Sequence, residues 1–369
     1  MAMFDKIKKA VSDFSPDKLK TTVFGEKFTE KPIMKITMLG ARGVGKTSVL
    51  TSMYNNMNTA VNDTRLHIVA DHGTNEILSK KTADLKGMFF GNNSISDTVH
   101  SGIAGDSIVS VFSFDFGLNT ENINMGLEIR DFPGEFVKDQ PDTVKQYIEE
   151  SNAVIVAIDT PHMMECDGRY NEGKNYTALI TSLFQSTLNA ESGEKLIMLV
   201  PLKCEKYYHE GRIDQVTEKV KSTYQELITF LKAQKDENGK ARYACVITPI
   251  QTVGQIVFDC FDSTDGKVDE ILLDGHPVPR KVNYKYTTAG AKYSPCYCEQ
   301  PLYYLLSFVS KQYLRLKSAK EDRGWIRRLQ KMWALTPNLD AMLLEIQKMD
   351  CKKVSNLDGF VTVFGRSKV

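Results

Sequence analysis

Two periods of hydrophobic and polar residues alternate along this chain. Ile33 to Leu39 is a mostly apolar run of strand length, a glycine-rich loop follows, and Ser48 to Met57 continues with helical character. Ile108 to Phe116 alternates apolar and polar residues, as a half-exposed strand does. Met125 to Arg130 is a short strand that ends at Asp131-Phe132-Pro133-Gly134-Glu135. Three more strand-like runs are Ala153 to Ile158, Leu196 to Leu202 and Tyr243 to Ile250. Helical patterns fall near 76–88, 141–151, 174–190, 212–234 and 300–316. This βα alternation predicts an α/β fold in three layers: a mostly parallel sheet with one antiparallel strand, and helices on both faces.

Outside that pattern the chain changes character. Residues 1–31 form a basic leader in which Phe4, Ile7, Val11 and Phe14 share one helical face between Lys6, Lys8 and Lys9. Such a helix can lie on a membrane, on a partner or on its own domain. Within the domain at 32–316, segment 58–107 reads as polar and switch-like. Segment 259–298 reads as an irregular insertion with a hairpin at Asp274-Gly275. The tail, 317–369, reads as a basic helical extension. In it Trp325, Ile326, Leu329, Met332 and Trp333 form a stripe beside Arg327, Arg328 and Lys331, and Thr336-Pro337 starts one last helix. An anionic membrane surface is one partner for that stripe; an ordinary core with a solvated rim is the other reading.

Composition narrows the classes. The formal net charge of +1 gives no field that would gather nucleic acid, so none is expected. The seven cysteines are dispersed, which fits a reducing compartment. Cys296-Tyr297-Cys298 is the one tight pair, and it lacks the second pair that structural zinc needs. The leader has no continuous apolar core and no run is long enough to span a bilayer, so a cytoplasmic protein is expected, peripheral on a membrane at most.

Gly40-Ala41-Arg42-Gly43-Val44-Gly45-Lys46-Thr47 fills every fixed position of GxxxxGK[ST], between a buried strand and a helix. Glycines let such a loop fold so that backbone N–H groups meet phosphate oxygens, and the helix that runs on through Ser48 adds its positive end. Lys46 is expected on the β- and γ-phosphates, and the Thr47 hydroxyl on Mg²⁺. These residues predict a P-loop NTPase fold. Arg42 could supply a cation in cis, or simply be exposed.

Asp131-Phe132-Pro133-Gly134 is a DxxG at a strand end. Asp131 could hold Mg²⁺ through water, and the Gly134 N–H could sense the γ-phosphate. Glu135 stands where a group orienting the attacking water belongs, although its charge beside a triphosphate needs a balancing cation; capping of the next helix is the alternative. Lys203-Cys204-Glu205, at the end of the Leu196 to Leu202 strand, has the spacing for base reading. Lys203 would pack on the base plane, and Glu205 would accept from the guanine N1–H and N2–H₂, a donor pair that adenine lacks. A charged loop after a strand is the plainer reading. Thr248 to Gln251 ends the sixth strand, where a backbone N–H could meet the guanine O6.

In this order the elements resemble the P-loop GTPases of the translation-factor and Ras-like (TRAFAC) clade over roughly residues 33–316. The base motif departs from NKxD, with Leu202 for asparagine and Glu205 for aspartate; the asparagine normally ties this loop to the phosphate loop. The nearer likeness is to the bacterial double-GTPases of conflict and defence gene sets. It is carried by Asp131 to Glu135, Ala157 to Glu165 and Pro201 to Glu205. The resemblance implies GTP/GDP and Mg²⁺ as ligands and a protein effector or activating partner. It also implies a switch threonine on the metal, with Thr98 the best candidate and Ser101 and Ser107 behind it. The expected function is a regulatory GTPase that turns over slowly, since neither a glutamine nor an arginine finger is evident. An ATPase or small-molecule kinase, or a binder without turnover, are the alternatives.

Overall fold

Two strands buried at all seven positions, Ala153–Asp159 and Leu196–Leu202, form the centre of the fold. Such runs, apolar on both faces, fit a parallel sheet covered on both sides. The computed structural model describes residues 33–61, 64–90, 98–99, 108–118, 123–189, 191–236, 238–318, 339–349 and 360–369.

Along the chain, β1 (Ile33–Leu39) leads through the glycine loop into α1 (Lys46–Val61). There follow β2 (His67–Ala70), α2 (His72–Gly87), β3 (Thr98–Val99), β4 (Ser110–Gly117), β5 (Ile123–Asp131), α3 (Phe136–Asp139) and α4 (Pro141–Glu150). After β6 (Ala153–Asp159) come α5 (Thr160–Met164), α6 (Asn171–Asn175) and α7 (Thr177–Thr187). After β7 (Leu196–Leu202) come α8 (Glu205–His209), α9 (Ile213–Thr223) and α10 (Gln225–Ala233). The remainder begins with β8 (Ala244–Ile247), β9 (Ile256–Phe261), β10 (Ser263–Thr264), β11 (Lys267–Val268), β12 (Glu270–Leu273), β13 (His276–Pro279) and β14 (Val282–Tyr286). It closes with α11 (Gln300–Ser318), α12 (Leu339–Met349) and β15 (Val361–Phe364).

The main sheet has the order β15-β8-β7-β6-β1-β5-β4-β2. Its centre, from β8 to β5, is parallel, and helices pack around it, α4 with α7 and α1 with α2 and α11. This is the three-layer α/β fold the pattern predicts. Parallel strands deliver their carboxyl ends to one rim, so the loops after β1, β5, β6, β7 and β8 gather there, as ligand-binding loops do in open α/β sheets.

Some features differ from the sequence expectation. The one antiparallel strand expected is β4, beside β5; β15 is a second, unexpected one at the far edge, beside β8. The four-residue edge strand β2 was too short to stand out. The segment read as irregular, 259–298, is built of short antiparallel strands as far as Tyr286 and is irregular beyond it. Turns at Asp265-Gly266 and Asp274-Gly275, all four residues at positive φ, close two hairpins, and the second is the hairpin the Asp-Gly pair predicts. The leader and the Trp325–Trp333 stripe lie outside the described residues.

Four of the last ten residues, β15, belong to the main sheet. Val361 pairs with Ile247 and Thr362 with Val246. Phe360 is buried, with its ring 5.2 Å from that of Tyr297. Glu194 receives both Arg315 and Lys368. Truncating a buried aromatic costs about 3–5 kcal/mol. Phe360→Ala should therefore lower the urea midpoint by an amount worth about 3 kcal/mol; an unchanged midpoint would show that β15 adds nothing to the fold.

Candidate functional site

The phosphate loop needs its glycines. Gly40, Gly43 and Gly45 have φ of +145°, +74° and +113°, which side chains rarely tolerate. The loop runs into α1, whose first turn closes with Val49 N–H donating to the Gly45 carbonyl at 2.9 Å. Val44 is fully buried beneath the loop, and Ser48 occupies the first turn of α1. Lys46 is buried, and its Nζ donates to the carbonyls of Gly40 (2.7 Å) and Ala41 (3.3 Å). Burial holds its ammonium below the ordinary lysine range, against the pull of Asp131 and Glu135.

β1 and β5 are adjacent and in register, with Met38 opposite Asp131. That pairing sets Asp131 beside the start of α1, where the Thr47 hydroxyl donates to Asp131 Oδ2 at 2.8 Å and both side chains are buried. Two oxygen donors in contact suit Mg²⁺, which takes few protein ligands and keeps most of its water. Among the described residues no group of three His, Cys, Asp or Glu would hold a metal by itself. The oxygen pair and the buried lysine fit a magnesium triphosphate.

Gly134 lies directly on the loop. A Cβ there would fall 2.1 Å from the Arg42 nitrogen, so no other residue fits without moving the backbone. Glu135 accepts from Arg42 Nη1 at 3.1 Å. Its side chain makes no capping bond to α3. Arg42 is exposed and still paired, and is the cation that balances the Glu135 charge. Pairs this open are worth about 0–1 kcal/mol each, so Glu135 can exchange partners readily.

On the base side, Lys203 has φ +60° and points back across the rim. Its Nζ donates to the Gly43 carbonyl (3.1 Å) and to Asp159 Oδ2 (2.6 Å). Leu202 also touches the loop: a Cβ on Gly45 would meet Leu202 Cδ1 at 3.3 Å. The tie that asparagine makes in NKxD proteins is thus made here by packing and by Lys203. Glu205 is buried, and its Oε1 accepts from Val253 N–H (3.0 Å) and Gly254 N–H (3.4 Å). Burial raises its pKa while these N–H groups oppose the rise. The carboxylate therefore holds the loop after β8. In that loop Thr248 is fully buried, and Gln251 exchanges backbone hydrogen bonds with Cys296. Thr98 lies in β3 opposite Lys285 of β14, in the inserted sheet.

Sequence reasoning missed Asp159, the residue that organises this side. It ends β6, opposite Leu202, is fully buried, and takes Lys203 on one oxygen and His162 Nδ1 on the other at 2.6 Å. Burial favours the neutral acid, yet His162 and Lys203 outweigh it and hold the carboxyl far below its usual range. Its position at a strand end in the parallel core was the available signal. Its stabilisation is complete above the unfolded carboxyl pKa of about 4 and is lost as pH falls below that value. Breaking a fully buried pair costs about 3–5 kcal/mol. Lys203 keeps 23% side-chain exposure, so Asp159→Asn should cost less, about 2–3 kcal/mol at pH 7. In denaturant melts the gap from wild type should narrow towards pH 3; a gap equal at both pH values would contradict an ionised Asp159.

Comparisons with known proteins follow from this geometry. Solved structures matched by this chain include the GTPase-like domain of S. cerevisiae Ski7 bound to GTP, at 16% identity, TM-score 0.33, over 61% of this chain and 44% of that one. Sup35 complexed with GDP is 11% identical, TM-score 0.29, over 63% and 41%. Methanosarcina barkeri Roco2 RocCORdC bound to GDP is 10% identical, TM-score 0.26, over 64% and 47%. The chain spans less than half the length of each, and the fold assignment stands on strand order rather than on them. No curated protein matches the chain. The model of the Double-GTPase 2 family matches residues 35–242, more than half of the chain, and the protein belongs to that family.

Proposed function

We propose that this protein is a regulatory GTPase. It binds Mg·GTP, hydrolyses it slowly, and changes the 58–107 and 131–145 segments between nucleotide states, possession of the γ-phosphate being what orders such loops. The observation that carries this reading is the 2.8 Å hydrogen bond between Thr47 and Asp131, which joins the phosphate loop to the DxxG strand at the metal position. Membership of a GTPase family supports guanine as the base.

In this reading Lys46 and the loop from Gly40 to Ser48 hold the phosphates. Thr47 and Asp131 hold Mg²⁺ directly and through water, and Lys203, Glu205 and the Thr248 to Gln251 loop meet the base. The ion supplies charge neutralisation at the β- and γ-phosphates. Glu135 orients water once it leaves Arg42, and the Gly134 N–H meets the γ-phosphate. With a glutamate in place of a water-orienting glutamine and no arginine finger evident in the motifs, turnover without a partner is slow. A protein effector or activating partner would then speed it. Thr98 is the proposed switch threonine on the ion.

Phosphate release from saturating GTP, with and without Mg²⁺, tests this. Without a partner the wild type should turn over on the order of 10⁻³ to 10⁻² s⁻¹. Lys46→Ala and Asp131→Asn should each abolish release. Turnover that needs no Mg²⁺ and survives both changes would contradict the assignment, and GTP binding with no release at all would leave a binding module.

A further inference from the structure

Three lysines from different elements donate to successive carbonyls of the phosphate loop. Lys46 takes Gly40 and Ala41, Lys174 takes Arg42 at 2.8 Å, and Lys203 takes Gly43. Lys203 is neutralised by Asp159, and Arg42 by Glu135. Among the described residues Lys46 and Lys174 have no carboxylate within ion-pair distance. Lys46 has its expected role on the phosphates; Lys174, on α6, has none in the motifs.

Its position is fixed from two sides. The fully buried Asn175 accepts from the Asp159 N–H at 2.7 Å and donates to the Asp159 carbonyl at 3.2 Å, anchoring α6 to the end of β6. On the other side Gly173 lies against the inserted hairpin, where a Cβ would come within 2.6 Å of Val278 Cγ1 and 2.9 Å of the Pro277 carbonyl. Glu270 of the same hairpin takes Nε and Nη2 of Arg169 at 2.8 and 2.9 Å, just before α6. The ammonium therefore stands beside Gly43, where a Cβ would be 3.2 Å from Nζ.

We propose that Lys174 is a second phosphate-binding lysine, supplied in cis, which exchanges the Arg42 carbonyl for an oxygen of the terminal phosphate of a bound nucleoside triphosphate. The proposal rests on the nucleotide-binding reading above, but not on the identity of the base. A carbonyl is a weak partner for an ammonium, whereas a phosphate oxygen makes a charge-assisted bond roughly twice as strong. Burial, with Lys203 and then Lys46 and Arg42 around it, pushes the Lys174 ammonium down to about 8 against the pull of Asp159. A polyanion at the loop would relieve that crowding of positive charge.

Calorimetric titration of full-length wild type, Lys174→Gln and Lys174→Arg with Mg·GTP and Mg·GDP tests it. A hydrogen bond to a charged group is worth about 10- to 100-fold in affinity. Lys174→Gln should lose about that factor for the triphosphate and keep its diphosphate affinity, and Lys174→Arg should recover much of the loss. A merely structural lysine would weaken both nucleotides together, which would overturn the proposal, as would an unchanged triphosphate-to-diphosphate ratio. If the wild type prefers ATP, the guanine reading fails while the same comparison with ATP and ADP still tests Lys174. Wild type that binds no nucleotide overturns both.

Discussion

Positive charge gathered at one eight-residue loop is the constraint on which the site depends. Arg42, Lys46, Lys174 and Lys203 all reach the loop or belong to it, and like charges this close in a partly dry rim repel strongly. The fold offsets this with three carboxylates at strand ends or just beyond. Asp131 ends β5, Asp159 ends β6, and Glu135 follows the DxxG turn. Asp159 carries most of the base side, since it is fully buried and takes both Lys203 and His162. In the proposed reading a magnesium triphosphate, anionic and rich in oxygen acceptors, would complete the balance that these carboxylates leave unfinished.

The inserted sheet has a place in the same scheme. β14 sets Tyr284 near Lys203, with the ammonium 5.8 Å from the ring centre, and pairs with β3 of the switch-like segment. The β12–β13 hairpin presses on Gly173 of α6 and, at its tip, Asp274 pairs with Lys138 of α3. One small insertion therefore touches the helix after DxxG, the helix that carries Lys174, and the strand that carries Thr98. The first and last lie in the segments proposed to respond to the γ-phosphate, and the insertion is a physical connection between them.

Much of this was legible in the sequence, for identifiable reasons. The phosphate loop, DFPG and the two fully apolar strands are local signals, each set by residues within one short stretch. The turn at Asp274-Gly275 was legible because its positive φ values demand that pair. The role of Asp159, the packing of Leu202 on Gly45 and the approach of Lys174 were not, because each depends on contacts between residues from 16 to more than 150 apart in sequence. β15 was hidden for the same reason: an apolar stretch after a basic segment reads as tail until β8 is known to need an edge partner. Glu205 was legible by spacing, but its hold on Val253 and Gly254 belongs to tertiary structure.

That double engagement of Glu205 makes base preference the most direct test of the central claim, that guanine nucleotide is the ligand. The measurement is the affinity of wild type and Glu205→Gln for Mg·GTP and Mg·ATP, Gln keeping the side chain's shape and one oxygen for the Val253 N–H. The expected result is wild-type preference for GTP of at least about 100-fold, collapsing in the variant because an amide opposes the guanine donors. Equal binding of GTP and ATP by the wild type, unmoved by the substitution, would contradict the guanine assignment and leave Glu205 as a fastener of the loop after β8.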